Sequence, residues 1–139
     1  MIAMLIVTHG DLAKALVSSA HLIMGESSLT ESQGLYHGEN IEGLKDTVKD
    51  SITNLHEKSE GDGVIILTDL FGGSPSNAIA RALHELGDNV KAECITGVNL
   101  PILLEAANCK SYMNLDELKN HCINAGKDNI LCLKERLNF

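Results

Sequence analysis

The sequence has few aromatic residues and few cations. It contains no tryptophan, 2 tyrosines and 2 phenylalanines, and its 11 lysines and arginines are outnumbered by 19 aspartates and glutamates, which gives a net charge of −8. A nucleic-acid-binding surface needs a basic stripe to neutralise phosphates. The composition therefore argues against DNA or RNA as a partner and favours proteins or small molecules.

Cysteine is scarce, and no pair has the C-x-x-C spacing of a zinc knuckle or a redox motif. We expect the 4 cysteines to be small core residues in a reducing cytosol: Cys94, Cys109, Cys122 and Cys132. No histidine pair stands at i, i+4 beside an acid, as in a helical zinc motif. The sequence thus predicts no metal and no cofactor, and the other histidines are expected at the surface: His21, His37, His56, His84 and His121.

Long hydrophobic runs are also missing. The apolar run from Ile2 to Val7 has no basic flank, and it is far shorter than a signal peptide or a membrane span. We therefore expect a cytoplasmic protein. Its 139 residues are enough for one domain, residues 1–139, with a core of its own.

Short apolar runs alternate with segments of helical periodicity. The predicted strands are Ile2–Val7, a weaker Leu35–His37, Gly63–Leu67, Val90–Thr96 and a short last strand, Ile130–Leu133. The predicted helices run from Leu12 to a stop at Gly25, from Ile41 to Leu55, from a Ser74 cap with Pro75 in the first turn, from Pro101 to Ala107, and from an Asn114 cap onward. This alternation is typical of an α/β fold with a doubly wound, mainly parallel open sheet and helices on both faces.

The polar residues of interest follow the strands. In such a sheet the binding crevice lies beyond the carboxyl ends of the strands, where successive connections leave in opposite directions. A strand order of 2-1-3-4 would place His9, after the first strand, beside Asp69, after the third. A carboxylate that accepts a hydrogen bond from one imidazole nitrogen leaves the other nitrogen with a free lone pair, so His9 is predicted to act as a base or a nucleophile.

The segment after Asp69 favours phosphate chemistry. Gly72 and Gly73 have no side chains to keep an anion away, and Ser74 begins a helix whose free amide hydrogens attract one. Hydroxyl groups of Ser74, Thr68 or Thr8 would add hydrogen-bond donors for the phosphoryl oxygens. Each feature alone has an ordinary explanation, as a loop histidine, a strand end or a capped helix. Together, at one edge of the sheet, they predict phosphoryl transfer through a histidine.

Three segments carry a resemblance to a known family. IVTHGDLAKAL, LTDLFGGSPSNAIAR and ITGVNLPILLE occur in order, and together they resemble the mannose-family enzyme IIA of the bacterial phosphotransferase system. The resemblance implies that the chain takes a phosphoryl group from the carrier protein HPr and passes it to a histidine of a IIB protein or domain. Sugar is phosphorylated later, during import through the membrane subunits IIC and IID.

The resemblance also implies roles for individual residues. His9 matches the phosphorylated residue, through its Nε2 atom, and Asp69 matches the partner of its other nitrogen. Gly72, Gly73 and Ser74 match the loop that holds the phosphoryl group, while partner docking is expected at Phe71, Asn99 and Pro101. A homodimer is implied as well, with an antiparallel last strand, Ile130–Leu133, exchanged between subunits.

Two alternatives remain open at this point. The phosphotransferase subunit that serves dihydroxyacetone kinase shares the fold and an early histidine, although the full GGSPSN and GVNLP segments favour sugar transport. A regulatory module that uses phosphorylation only as a signal is the second alternative. It is disfavoured because no DNA-binding segment accompanies these residues.

Overall fold

Strands and helices alternate along most of the chain, and the computed structural model describes residues 1–139. The strands are β1 (Ala3–His9), β2 (Thr30–Leu35), β3 (Val64–Thr68) and β4 (Ala92–Thr96). The helices are α1 (Leu12–Met24), α2 (Ile41–Lys58), α3 (Ser74–Leu86), α4 (Leu100–Cys109), α5 (Leu115–Asp128) and α6 (Leu133–Leu137). The predicted α/β class is confirmed.

The sheet has four parallel strands in the order β2-β1-β3-β4, which confirms the predicted 2-1-3-4 arrangement. The chain moves outward from β1 to β2 and then crosses back to β3 on the other side of β1. The order therefore reverses between β1 and β3, and the carboxyl ends of these two strands form the crevice expected at such a reversal.

Two apolar layers cover the sheet. The layer of α1, α4 and α5 packs on one face with side chains such as Ile6, Ile65 and Leu118, and the layer of α2 and α3 packs on the other with Val48 and Ile79. Every residue of β3 is buried, as expected for a central parallel strand. The helix positions predicted to face the core in α2 are buried from Leu44 through Leu55.

The second strand lies earlier in the chain than predicted. Instead of Leu35–His37, β2 is Thr30–Leu35, with the mostly polar sequence TESQGL. It is an edge strand paired only with β1, and its residues are half-buried or exposed. Hydrophobic periodicity missed it because an edge strand is held largely by backbone hydrogen bonds and needs few buried side chains.

The predicted last strand does not form within a single chain, and its exchange between subunits stays a prediction. Residues 130–132 follow α5 as coil, and Leu133 begins the short helix α6. The apolar side chains of this segment stay exposed: Ile130, Leu131, Leu133, Leu137 and Phe139. An apolar run alone does not make a strand, because a strand also needs a neighbouring backbone to pair with.

Helix caps were predicted with mixed success. Asn114 caps α5 as expected, in a capping box with Glu117. Ser74 was expected to cap α3, but Gly73 is the N-cap residue and Ser74 is the first helical residue, so no side chain caps this helix. Pro75 lies in the first turn, as predicted. The uncapped start of α3 leaves its first amide hydrogens available.

No helix of this structure combines the length and the apolar character that crossing a bilayer requires.

The four cysteines differ in burial. Cys109 and Cys122 are buried and Cys94 is half-buried, in line with a core role, but Cys132 is exposed, contrary to the expectation. Burial raises the pKa of Cys94 and of Cys122 to about 12, which makes both thiols poor nucleophiles at neutral pH.

An ionic contact between α2 and α3 makes stability depend on pH. Glu85 accepts hydrogen bonds from Lys45 Nζ (2.9 Å) and Lys49 Nζ (3.0 Å), and these lower the pKa of Glu85 from 4.5 to about 2. A carboxyl group whose pKa is lower in the folded state stabilises that state above the unfolded pKa, and the stabilisation is lost as pH falls through the folded value. We expect the free energy of unfolding to decline between pH 4.5 and about pH 2.

Urea unfolding at a series of pH values measures this decline. Glu85→Gln is expected to remove part of it and to lower stability at neutral pH, whereas the control Glu26→Gln, at an exposed position with no ion pair, should leave the curve unchanged. Identical pH curves for Glu85→Gln and the wild type would contradict the assignment.

Candidate active site

His9 and Asp69 meet at the reversal of strand order, as the sequence predicts. His9 ends β1, and Asp69 directly follows β3. The His9 Nδ1 atom lies 2.8 Å from Asp69 Oδ2, and the His9 backbone N–H donates to the same oxygen at 3.1 Å. The carboxylate therefore holds both the backbone and the ring of the histidine.

Asp69 is the more buried member of the pair. Its side chain is 15% exposed, against 47% for His9, and its Oδ1 atom is buried without a hydrogen-bond partner. Burial alone would raise the pKa of the carboxyl group, but hydrogen bonds from the His9 ring and backbone, together with the charge of a protonated ring, outweigh it and hold the pKa of Asp69 below its usual value. In the neutral ring, a hydrogen bond from Nδ1–H to this carboxylate leaves the free lone pair on Nε2.

Gly73 approaches the other side of the imidazole. A Cβ atom at this position would lie 2.8 Å from His9 Cε1 and 3.3 Å from His9 Nε2. Any side chain here would collide with the ring, which explains why this position is glycine. The nucleophilic nitrogen thus faces the amino-terminal end of α3.

The start of α3 offers donors for an anion. Gly73 N–H bonds to Leu70 O, but the backbone N–H groups of Ser74 and Ser76 have no acceptor within the chain, and Pro75 has no N–H. Unpaired amides at a helix start carry a partial positive charge. They belong to the same helix start as Gly73, which approaches His9 Nε2, so they are candidate donors for the oxygens of a phosphoryl group on that atom.

The two threonines do not line the site. Thr8 is fully buried, and its Oγ1 atom accepts a hydrogen bond from Ala13 N–H (2.7 Å) and donates to His9 O. Thr68 is also fully buried. The expectation that these hydroxyls face the phosphoryl group is wrong, because both side chains point into the fold. Ser74 is exposed at the start of α3, and its role stays a prediction.

The residues predicted for docking differ in their surroundings. Phe71 is 83% exposed in the loop after β3, close to Asp69 in the chain. Asn99 instead has a structural role, since its side chain accepts from Ile102 N–H at the start of α4 and donates to Gly126 O in α5. Pro101 lies in the first turn of α4. Docking by these three residues remains a prediction.

Two supporting residues were not anticipated from the sequence. Gly34, on β2, lies against the backbone after β1, and a Cβ atom there would collide with Gly10 O. Asn77 donates from its side chain to Gly72 O (3.5 Å) and so braces the glycine loop. Asn77 was within reach of sequence analysis, as part of GGSPSN. The contact between Gly34 and Gly10 depends on strand pairing and gave no local signal.

Replacing Gly73 by alanine is expected to slow phosphoryl transfer by about 10²-fold, the scale of a misplaced reacting group. The added Cβ would push the His9 ring away from its position between Gly73 and Asp69. Transfer kinetics with a phosphorylated donor measure the rate. Gly43→Ala, in α2, is the matched control because its Cβ would meet only Asn40. A Gly73→Ala rate equal to that of the wild type would contradict the proposed ring position.

One of the other histidines departs from the prediction. His121 was expected at the surface without an acidic partner, but its Nε2 atom lies 2.7 Å from Glu105 Oε2. The pair joins α5 to α4, and residues 16 positions apart on different helices give no pattern in the sequence. None of the remaining histidines, His21, His37, His56 and His84, forms an ion pair.

Comparison with known proteins places the chain in a family. The family model EIIA-man, described as "PTS system fructose IIA component", matches residues 3–123. The chain is 34% identical over 121 residues to the fructose-specific EIIA component of Bacillus subtilis, covering 87% of this chain and 79% of that protein. It is 32% identical over 136 residues to the mannose-specific EIIAB component of Escherichia coli K12, covering 97% of this chain but only 40% of that longer protein.

Solved structures show the same fold. A phosphotransferase EIIA component from Streptococcus agalactiae superimposes with a TM-score of 0.87 at 24% identity, covering 97% of this chain and 99% of that one. A IIA protein associated with a fucose utilization operon of Streptococcus pneumoniae gives a TM-score of 0.76 at 30% identity, with 99% of both chains covered. The matched residues contain both His9 and Asp69, and the chain belongs to the EIIA-man family, the IIA phosphotransferase components of the sugar phosphotransferase system.

Proposed function

We propose that this chain carries a phosphoryl group on Nε2 of His9, accepting it from HPr and donating it to a histidine of a IIB component. The observation that supports this most directly is the position of the His9 ring, held through Nδ1 by Asp69 on one side and facing Gly73 and the start of α3 on the other. One side supplies a nucleophile, and the other supplies donors for the transferred group.

The transfer step is an in-line displacement. The lone pair of His9 Nε2 attacks phosphorus, the N–P bond of the donor phosphohistidine breaks, and its electron pair returns to the donor ring. The positive charge that develops on the His9 ring is balanced by the Asp69 carboxylate, 2.8 Å from Nδ1. The amides of Ser74 and Ser76 stabilise the phosphoryl oxygens. The new N–P bond is again a phosphoramidate. The onward transfer from His9 to a histidine of IIB therefore needs no further activation.

The rim around His9 suits a protein donor. The imidazole is 47% exposed. Large apolar side chains that follow the three strands β1, β2 and β3 are exposed too: Leu12 at the start of α1, and Tyr36, Leu70 and Phe71 in loops. Leu35 pairs with His9 across the sheet, which brings Tyr36 to the same edge. Exposed aromatic and leucine side chains around a reactive group are typical of a docking surface, and interface energy concentrates in such residues. HPr and IIB are proposed to use this rim in turn.

Relatives support a IIB acceptor. The Escherichia coli protein that this chain matches over 40% of its length is named an EIIAB component, which joins A and B parts in one protein. The family resemblance is the ground on which the membrane subunits IIC and IID are proposed as indirect partners, reached through IIB. A homodimer is also proposed, because exposed apolar residues from Ile130 to Phe139 have no cover within one chain.

A reconstituted relay tests this function. The chain is incubated with phosphoenolpyruvate, enzyme I and HPr, and then with a IIB component, and intact mass is followed for both. We expect one phosphoryl group on the chain only when HPr is present, followed by its transfer to IIB. Absence of the adduct with active HPr would overturn the proposal. An adduct that no IIB component accepts would contradict the carrier role and favour a regulatory module.

A further inference from the structure

The helix pair α4 and α5 brings together three side chains that the proposed transfer mechanism does not use. Glu105 and Cys109 lie on α4 and His121 lies on α5, and their ligand atoms all fall within 4.8 Å of one another. Glu105 Oε2 is the centre of the group, 2.7 Å from His121 Nε2 and 3.7 Å from Cys109 Sγ. These are a carboxylate, a thiol and an imidazole, three common metal ligands.

The helices hold this cluster in place. Glu105 and Cys109 are four residues apart in α4, which places them on the same face of the helix, one turn from each other. α5 packs closely at this face, since a Cβ atom on Gly126 would lie 2.5 Å from Ile102. Ligands on rigid, packed elements are positioned before a metal arrives, which reduces the cost of ordering them.

The third side chain separates this cluster from a simple ion pair. Glu105 and His121 alone would make an ordinary surface contact between helices, with side chains 37% and 39% exposed. Cys109 is buried, only 4% exposed, yet its sulfur is directed at the same carboxylate oxygen. Tyr112 Oη also lies 3.0 Å from that sulfur, as a donor. A thiol at this position adds nothing to the ion pair, but it completes a set of three metal ligands.

We propose that Glu105, Cys109 and His121 bind one divalent transition-metal ion of the zinc type. Zinc binds sulfur at about 2.3 Å and nitrogen or oxygen at about 2.0–2.2 Å, so ligand atoms on one ion lie about 3–4 Å apart, and the group needs only small side-chain shifts. The soft thiolate and the imidazole favour zinc over magnesium or calcium, which prefer oxygen ligands. The exposed sides of Glu105 and His121 leave the fourth position open to water.

Binding changes the protonation of two ligands. The Cys109 thiol loses its proton to solvent as the Zn–S bond forms, and His121 presents the lone pair of Nε2 while Nδ1 carries the ring proton. Because at least one proton leaves for each ion bound, zinc affinity rises with pH. The ion would clamp α4 to α5. This inference is independent of the proposed relay, since none of the three ligands belongs to the His9 site.

Metal titration of the 139-residue chain, stripped with chelator and kept reduced, tests the proposal. We expect one zinc ion per chain, and with Co²⁺ as the probe a near-ultraviolet thiolate-to-cobalt absorption band. His121→Gln and Glu105→Gln each remove one ligand at a half-exposed position, and each should weaken zinc binding by at least about 100-fold, beyond what the loss of an outer hydrogen bond costs. His84→Gln and Cys132→Ser are matched controls and should bind as the wild type does.

Several results would overturn the proposal. They are the absence of a thiolate band in the wild type with Co²⁺, unchanged zinc affinity in both His121→Gln and Glu105→Gln, and loss of zinc binding on changing Cys132 or His9 instead. Circular dichroism of each variant shows that it is folded. Phosphorylation by the relay is measured separately, so failure of metal binding and failure of the carrier function are distinguishable.

Discussion

Changing His9 to alanine is expected to abolish phosphorylation of the chain completely. No other histidine lies beside both a buried carboxylate and a free helix start, because Asp69 and the amides of α3 serve this ring alone. With phosphoenolpyruvate, enzyme I and HPr, intact mass should show one phosphoryl group on the wild type and none on His9→Ala. The wild-type adduct should be lost in acid, as expected for a phosphoramidate.

His84→Ala is the matched control for this change. His84 is exposed on α3, the helix that starts at the proposed anion site, and it has no ion pair. The His84→Ala variant should be phosphorylated at the wild-type rate. A phosphoryl group found on His9→Ala, or an adduct that survives acid, would show that another residue is modified and would contradict the assignment.

Changing Asp69 to asparagine is expected to slow transfer roughly 10²- to 10⁴-fold, on the scale known for the aspartate of a catalytic triad. If the amide oxygen faces His9, the ring keeps its tautomer but loses the negative charge that balances the imidazolium. If the NH₂ group faces His9, it donates to Nδ1, and the proton moves to Nε2, the atom that must attack. Either orientation impairs the nucleophile.

Rapid-quench measurement of transfer from phosphorylated HPr gives this rate, and Asp50→Asn, at an exposed position in α2, is the control. Stability needs a separate measurement. Asp69 Oδ1 is buried without a partner, and an NH₂ group there would be an unsatisfied donor costing about 1–3 kcal/mol. Thermal unfolding of Asp69→Asn separates this cost from the kinetic effect. A transfer rate matching the wild type in a folded variant would refute the role of the carboxylate.

Local patterns predicted much of the fold correctly. The apolar stripe from Leu44 to Leu55 is the buried face of α2, and Asn114 begins α5 as a capping residue. Gly25 ends α1 as expected. These features depend on residues within one or two helical turns of each other, so a short window of sequence contains all the information that they need.

The failures occurred where pairing rather than composition decides the structure. β2 is polar, and its place at Thr30–Leu35 follows from hydrogen bonding to β1. The opposite error was made at Ile130–Leu133, where an apolar run suggested a strand but no strand forms in this chain. In both segments the deciding factor is whether a partner backbone lies alongside, and the sequence of the segment itself does not contain that information.

The sequence by itself determined the α/β alternation, the strand that presents His9, and the glycine-rich start of α3, since each arises from residues close together in the chain. Only the tertiary structure decided which distant groups meet, since the meeting of His9 and Asp69 was predicted on the condition of a 2-1-3-4 strand order. Asp69 reaches His9 across a separation of 60 residues because β1 and β3 are neighbours in the sheet, and Glu105 reaches His121 because α4 and α5 pack on one face. Such contacts depend on chain topology and close packing, which act between distant segments and leave no periodic signal in either one.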